Sequence, residues 1–211
     1  AWNTRMIFFF FFCASDLLPS AFIVVVFSSV FCVSNCLYCS FPGEVLPAGS
    51  GEMESFWQFM KRDIQDAVQW MKKHKKKLST IYIGGGTPTT LSLPILTELF
   101  ELLHHEFDLS GLNEFTLEAG RPDTITPENM KLAREFGVDR ISVNPQTMQQ
   151  RTLKRIGRTH SVQSIEKAVE IVRANHFKAL NMDLIAGLPG EQTEDLIDSI
   201  EKIIRFSPEN I

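Results

Sequence analysis

About five times along this chain a short apolar run leads through a loop into an amphipathic helical stretch, and that alternation limits the fold more than any other feature. The apolar runs are Phe22 to Phe27, Thr80 to Ile83, Phe115 to Leu117, Arg140 to Val143 and Ala179 to Ile185. Between them the spacing predicts helices over Ser50 to Lys77, over Leu93 to Phe107, and from Thr126-Pro127-Glu128 to near Gly137. Two more follow, from a Ser161 cap to Asn175 and from Thr193 to Phe206. In the first helix Phe56, Phe59, Met60, Ile64, Ala67, Val68 and Met71 recur at three- and four-residue steps, which makes one face apolar. Thr126 is an N-cap residue followed by proline at the first helical position. Such alternation makes an α/β fold, a parallel sheet covered by helices. An open or partial (β/α) barrel and a doubly wound sheet both satisfy it, and both put functional loops at the strand C-terminal ends.

The residues best suited to chemistry follow the first of these strands. Cys32-Val-Ser-Asn-Cys36-Leu-Tyr38-Cys39 brings three thiols into one loop at spacing C-x3-C-x2-C. A structural zinc site closes its shell with four ligands. An iron–sulfur cube has four irons, usually held by four protein thiolates, so three ligands leave one iron open to another partner. No second Cys pair or close Cys/His pair follows, which favours the open cluster, while a zinc loop remains the alternative. The fourth cysteine, Cys13, reads as an ordinary thiol. Three thiols kept as ligands imply a reducing, cytoplasmic setting, not a secreted disulfide framework. A net charge of −4 gives no reason to expect nucleic-acid binding. The run Lys72 to Lys77 is the solvated end of a helix, where cations are favourable.

Later strand ends carry further candidates. Gly84-Gly85-Gly86-Thr87 lets the backbone approach a ligand closely and offers N–H groups to an anion, but lacks the pattern of a nucleotide phosphate loop. Glu118 ends an apolar strand, where either a ligand-binding carboxylate or a solvent-facing strand end is expected. Gln146, Arg158 and Asp183 carry the same two readings; a buried Arg or Asp requires a partner, which a bound zwitterion with hydroxyl groups would provide.

The first 21 residues are atypical, with five phenylalanines from Phe8 to Phe12, and are expected to lie outside the core, which then runs over residues 22–211. Arg5 ahead of that run, with Ala14 and Ser15 behind it, has the outline of a secretory signal. Asp16 and Pro19 interrupt it before the ~20 apolar residues of a membrane span accumulate, so membrane association is not expected. The end of the chain at Pro208 to Ile211, where a sixth strand would begin, reads as the edge of a fragment.

The cysteine loop with Tyr38 resembles the radical S-adenosylmethionine (SAM) enzymes. A narrower resemblance covers about Phe31 to Phe206. Cys-Leu-Tyr-Cys-Ser-Phe, Gly-Gly-Gly-Thr-Pro-Thr-Thr-Leu, Phe-Thr-Leu-Glu-Ala-Gly-Arg-Pro-Asp, Arg-Ile-Ser-Val-Asn-Pro-Gln-Thr, Ile-Gly-Arg-Thr-His and Asn-Met-Asp-Leu-Ile-Ala-Gly-Leu-Pro-Gly are similar to oxygen-independent coproporphyrinogen III dehydrogenases, most of all the HemZ-type branch. That resemblance implies a partial (β/α)6-type barrel, cut short on its C-terminal side, and two cofactors, a 4Fe–4S cluster and SAM. It implies that Cys32, Cys36 and Cys39 bind the cluster and that Tyr38 packs near the SAM adenine. It puts Gly85, Gly86, Thr87, Glu118, Gln146, Arg158 and Asp183 at SAM-contacting positions. The implied reaction is oxidative decarboxylation of two propionates of coproporphyrinogen III, or of a related porphyrin, to vinyl groups, with an unidentified electron donor. The chain departs from the family at Val26, where a SAM-contacting tyrosine is common, at Val30 before Phe31, and at Phe41, where better-characterised enzymes carry a further cysteine. The Cys-x-Phe form is shared with related haem chaperones, the alternative function on the same scaffold.

Overall fold

The computed structural model describes residues 10–12, 22–29, 31–40, 44–45 and 51–211. Val30, Phe41, Cys13 and the loop prolines Pro42 and Pro47 lie outside the described residues, as does most of the segment 1–21. In chain order the elements are β1 (Phe10–Phe12), β2 (Phe22–Ser29), β3 (Phe31–Cys32), β4 (Glu44–Val45), α1 (Glu52–Lys73), β5 (Lys77–Gly85), α2 (Leu93–Glu106) and β6 (Glu114–Glu118). They continue as α3 (Pro127–Glu135), β7 (Arg140–Gln146), α4 (Gln150–Arg155), α5 (Val162–Ala174), β8 (Ala179–Leu184) and α6 (Thr193–Ile204).

The order of strands in the sheet decides between the two architectures left open by the alternation. It runs β1-β2-β5-β6-β7-β8, and β2, β5, β6, β7 and β8 are parallel throughout. A doubly wound sheet reverses its order at a switch point. Here each parallel strand adds beside its predecessor without reversal, which is the winding of a barrel. Beyond β8, Asn210 bridges Asn181 in parallel, and the Met182 N–H donates to the Asn210 carbonyl at 3.1 Å, so the chain enters a sixth strand position. Phe10–Phe12 of the atypical N-terminal segment pairs antiparallel with β2 and adds an edge strand.

Alternation along the strands gives the sheet two unlike faces. Ile81, Ile83, Phe115, Leu117, Ile141, Val143, Leu180 and Met182 are buried in one continuous apolar core with Ile64, Leu96, Leu99, Phe100, Met130 and Ile165 of the helices. The opposite face is polar. Arg140 pairs with Glu114 at 3.1 Å and donates to Asn181 Oδ1 at 3.2 Å. Asn181 donates to Ser142 at 2.9 Å, Ser142 to Asn144 at 2.8 Å, and Asn144 to Glu118 at 2.9 Å. A ladder of hydrogen bonds thus climbs the concave face towards the strand C-terminal ends. Helices on one side and a polar interior on the other belong to a partial barrel.

Three local expectations are corrected. The first helix ends at Lys73 rather than Lys77, because Lys75 takes φ 51° and turns the chain so that Lys77 already opens β5. Phe59 is exposed and Trp57 takes the buried position, donating from Nε1 to Glu98 at 2.6 Å. Residue 59 lies roughly 100° round the helix from Met60, off the face that Met60, Ile64 and Val68 define. Finally, α4 was not expected, since its only apolar anchor, Leu153, is too isolated to show a period. The caps behave as the sequence predicts: Thr126 accepts from the Asn129 N–H and Ser161 from the Ser164 N–H, both in capping boxes.

Candidate functional site

At the C-terminal ends of β2 and β5 the cysteine loop meets the glycine turn. The Thr87 N–H donates to the Phe31 carbonyl at 2.7 Å, and Thr87 Oγ1 to Cys32 Sγ at 3.6 Å. Gly86 permits this approach. A Cβ there would lie 2.6 Å from the Phe31 carbonyl oxygen and 3.1 Å from Cys32 Sγ. From the other side α4 supports the loop, with the Leu37 N–H on the Ile156 carbonyl at 2.9 Å and Ser34 Oγ on the Gly157 carbonyl at 3.0 Å. Gly157 has φ +80°, and a Cβ on it would come to 3.0 Å from the Asn35 carbonyl, so glycine is required twice over. The loop closes on itself through the Cys39 N–H and the Cys36 carbonyl, 3.1 Å apart.

Cys32 and Cys36 are half-buried and Cys39 is exposed. Burial pushes the Cys32 thiol up, opposed by the Thr87 hydroxyl and the Arg121 charge. A cluster or metal replaces the proton and removes that penalty. Among the described residues no three His, Cys, Asp or Glu side chains gather around one ion. The donors aimed at sulfur, Thr87 on Cys32 and Arg121 Nη1 on Cys36 at 3.1 Å, suit thiolate ligands. These residues fit an iron–sulfur cluster held by three cysteines.

Beside this loop Glu118 ends β6 inside the barrel. Its Oε1 accepts from Asn144 Nδ2 at 2.9 Å and its Oε2 from the Tyr82 hydroxyl at 3.3 Å. Burial pushes the Glu118 carboxyl up, and the Tyr82 and Asn144 donors hold it back. Burial, with the neighbouring Glu118 charge, also raises Tyr82, so its phenol stays protonated and remains a donor. Gly84 leaves room for both, since a Cβ would meet the Tyr82 ring at 2.5 Å and Glu118 Oε2 at 2.6 Å. Gly85 takes φ +102° as the turn leaves the strand.

Arg158 is buried and reaches back to the loop. Its Nη2 and Nε donate to the Tyr38 hydroxyl at 2.9 and 3.2 Å, and its Nη1 to the carbonyls of Asn144 and, at 3.4 Å, Gly120. The partner expected in a bound zwitterion is thus supplied by protein groups, and Arg158 ties Tyr38 to the ends of β6 and β7. Burial pushes the Tyr38 hydroxyl up to about 12, against the pull of Arg158. Gln146 holds φ 67° at an irregularity in the β7–β8 register, and its carbonyl accepts from the Ile185 N–H at 2.9 Å. A left-handed non-glycine residue at a strand end is costly backbone of the kind that functional sites retain. Asp183 is exposed on β8 and accepts from Asn181 at 2.7 Å. Its charge acts on both Tyr82 and Glu118, so it faces the same interior.

The structure therefore gathers Cys32, Cys36, Cys39, Tyr38, Gly85, Gly86, Thr87, Glu118, Gln146 and Arg158 at one end of the sheet, with Asp183 at its β8 margin. Three further residues join the site beyond those expected from the sequence: Asn144 and Tyr82, which position Glu118, and Arg121, which touches the loop. Alternation along β5 and β7 puts Tyr82 and Asn144 on the interior face and is the signal that finds them. Nothing in the spacing marks Arg121.

The profile of the Radical SAM superfamily matches residues 26–203. Over 182 residues the chain is 38% identical to the oxygen-independent coproporphyrinogen-III oxidase-like protein HemZ of Bacillus subtilis, covering 86% of this chain and 36% of that protein. It is 35% identical to the heme chaperone HemW of Lactococcus lactis, covering 83% of this chain and 44% of that one. The chain thus spans less than half the length of these relatives. The Escherichia coli coproporphyrinogen III oxidase HemN superposes with a TM-score of 0.71 at 22% identity, over 88% of this chain and 42% of that one, which shows the shared fold. With the sequential parallel sheet and the three-cysteine loop at its C-terminal end, these matches show that the chain belongs to the radical SAM superfamily.

Proposed function

We propose that the chain is the core of a coproporphyrinogen III dehydrogenase of the HemZ type, with Cys32, Cys36 and Cys39 holding a 4Fe–4S cluster and the adjoining strand ends holding SAM. Held by Cys32, Cys36 and Cys39, such a cluster would supply the one-electron reduction of SAM that initiates hydrogen abstraction from a propionate side chain. The 38% identity to HemZ supports the dehydrogenase reading, and the bond of Thr87 N–H to the Phe31 carbonyl at 2.7 Å, which joins the glycine turn to the cysteine loop, supports one shared site for cluster and SAM. Half-buried Gly86 lets the cysteine loop sit against the turn, so an amino acid headgroup bound at the cluster would lie beside this backbone. Glu118, fixed by Asn144 and Tyr82, accepts hydrogen bonds from an ammonium or from ribose hydroxyls. Arg158 holds the Tyr38 ring in place as a wall for an adenine. Asp183 and Gln146 close the far side. The proposed setting is cytoplasmic, with an unidentified electron donor.

A haem-binding chaperone on the same scaffold is the second reading. Its support is the 35% identity to a heme chaperone and Phe41 in the position of a further cysteine. Anaerobic reconstitution of the full-length protein separates the two. The dehydrogenase releases 5′-deoxyadenosine together with protoporphyrinogen when coproporphyrinogen III is supplied. Retained haem, with SAM cleavage uncoupled from decarboxylation, selects the chaperone. Cys36→Ala is expected to lose iron, sulfide and SAM cleavage together, and a variant that kept all three would refute the ligand assignment.

A further inference from the structure

The guanidinium of Arg121 lies against the cysteine loop in a position that the SAM site does not use. Its Nη1 donates to Cys36 Sγ at 3.1 Å and its Nη2 donates to Ser34 Oγ. The side chain is 3% exposed, and Asp123 stands 3.7 Å from Nε, which makes no hydrogen bond. The backbone is held as well, since the Arg121 carbonyl accepts from the Thr124 N–H at 3.0 Å and from Thr124 Oγ1 at 2.8 Å. An arginine cannot shed its proton, so a full positive charge stands beside this sulfur with little water to screen it. Asp123 is 27% exposed and also faces His160 and Thr159, so its charge offsets that of Arg121 only in part.

We propose that Arg121 is a positioning residue that raises the reduction potential of the iron–sulfur cluster through its N–H···S bond to Cys36. The proposal rests on Cys32, Cys36 and Cys39 being the cluster ligands. Reduction adds one electron and one negative charge to the cluster and its thiolates. A hydrogen bond to a ligand sulfur and a fixed cation beside it both favour the more negative state, and net charge and hydrogen bonds to sulfur are among the factors that set cluster potentials. The Thr87 hydroxyl approaches Cys32 Sγ only to 3.6 Å and is neutral, so Arg121 is the stronger of the two influences.

The test is a redox titration of the full-length protein, anaerobically reconstituted with iron and sulfide, poised with dithionite and followed by the electron paramagnetic resonance of the reduced cluster. Wild type, R121K and R121A are compared, with iron and sulfide content measured on each. At the wild-type midpoint, R121A is expected to shift the ratio of reduced to oxidised cluster about tenfold towards oxidised, equivalent to ~59 mV for a one-electron couple. R121K, which keeps the charge but not the planar fork, is expected to fall between. An unchanged midpoint in a variant with full iron and sulfide overturns the proposal and leaves the ligand assignment standing. Loss of the cluster from both variants also overturns it, since Arg121 would then serve to assemble the loop. A wild-type protein that takes up no cluster removes the ligand assignment and the proposal together.

Discussion

The cysteine loop and the Glu118 cradle sit side by side at the same end of the sheet, yet they are held by opposite means. The loop is thin and open to solvent: Leu37 is 79% exposed and Cys39 is exposed. It is braced by distant parts of the chain, through Thr87, Arg121, Ile156, Gly157 and Arg158. Glu118 is half-buried, and its two oxygens are met by side chains from the neighbouring strands β7 and β5. The chemistry of the loop resides in its own thiols, so a few struts that hold its shape suffice. The chemistry of a half-buried carboxylate is set by its neighbours, since burial pushes the Glu118 carboxyl up and the Tyr82 and Asn144 donors hold it back. One region carries its own reactivity and borrows its rigidity; the other does the reverse.

The largest expected effect comes where the two regions touch. Gly86→Val drives a side chain into the Phe31 carbonyl and Cys32 Sγ, and backbone cannot move aside cheaply. Overpacking of about 1–3 kcal/mol is expected to reduce iron and sulfide retention roughly tenfold or more while far-ultraviolet circular dichroism stays native. Full iron content in this variant would show that the loop does not depend on the glycine turn.

Next comes the wall behind the loop. The His160 side chain is fully buried 4.0 Å from Asp123, and neither ring nitrogen has a hydrogen bond. Burial and the nearby Arg158 charge push its pKa from 6.5 down to about 4. The unfolded chain therefore binds the proton first, and stability falls as pH drops from about 6.5 to about 4, then levels off. Over that window the loss is on the order of 3 kcal/mol, and His160→Leu should flatten the profile of urea midpoint against pH. An unchanged slope would move the titration to another group.

A smaller effect tests the cradle alone. Asn144→Ala removes the donor to Glu118 Oε1 and also frees Ser142, costing about 2 kcal/mol in urea unfolding. Iron content should stay at the wild-type level while SAM retention falls. If iron is lost in step, the loop and the cradle form one unit. Least of all is Thr126→Ala, which breaks a capping box on α3 away from both regions. About 1 kcal/mol of stability should go, with cluster content and SAM retention unchanged.

Much of the architecture is visible in the residues because it is local. The apolar runs, the caps at Thr126 and Ser161 and the three-thiol loop each depend on neighbours within a few positions, and all of these appear in the structure. Where the structure departs from the pattern, a tertiary contact or a single backbone angle prevails over it. The charged run Lys72 to Lys77 looks like helix until Lys75 turns left-handed, and Phe59 looks like core until Trp57 takes the buried place with its indole on Glu98 of α2. α4 has too few apolar residues to show a period, although the Ile156 and Gly157 carbonyls just past its C-terminus hold the cysteine loop.

By themselves, then, the residues determined that strands and helices alternate and that three thiols share one loop, because periodicity and ligand spacing are properties of short stretches. The tertiary structure alone decided that the strands wind in sequential order, that Asn144 and Tyr82 converge on Glu118, and that Arg121 reaches Cys36. That last pair lies 85 positions apart, and such a distance is closed only when the whole sheet brings its strand ends together.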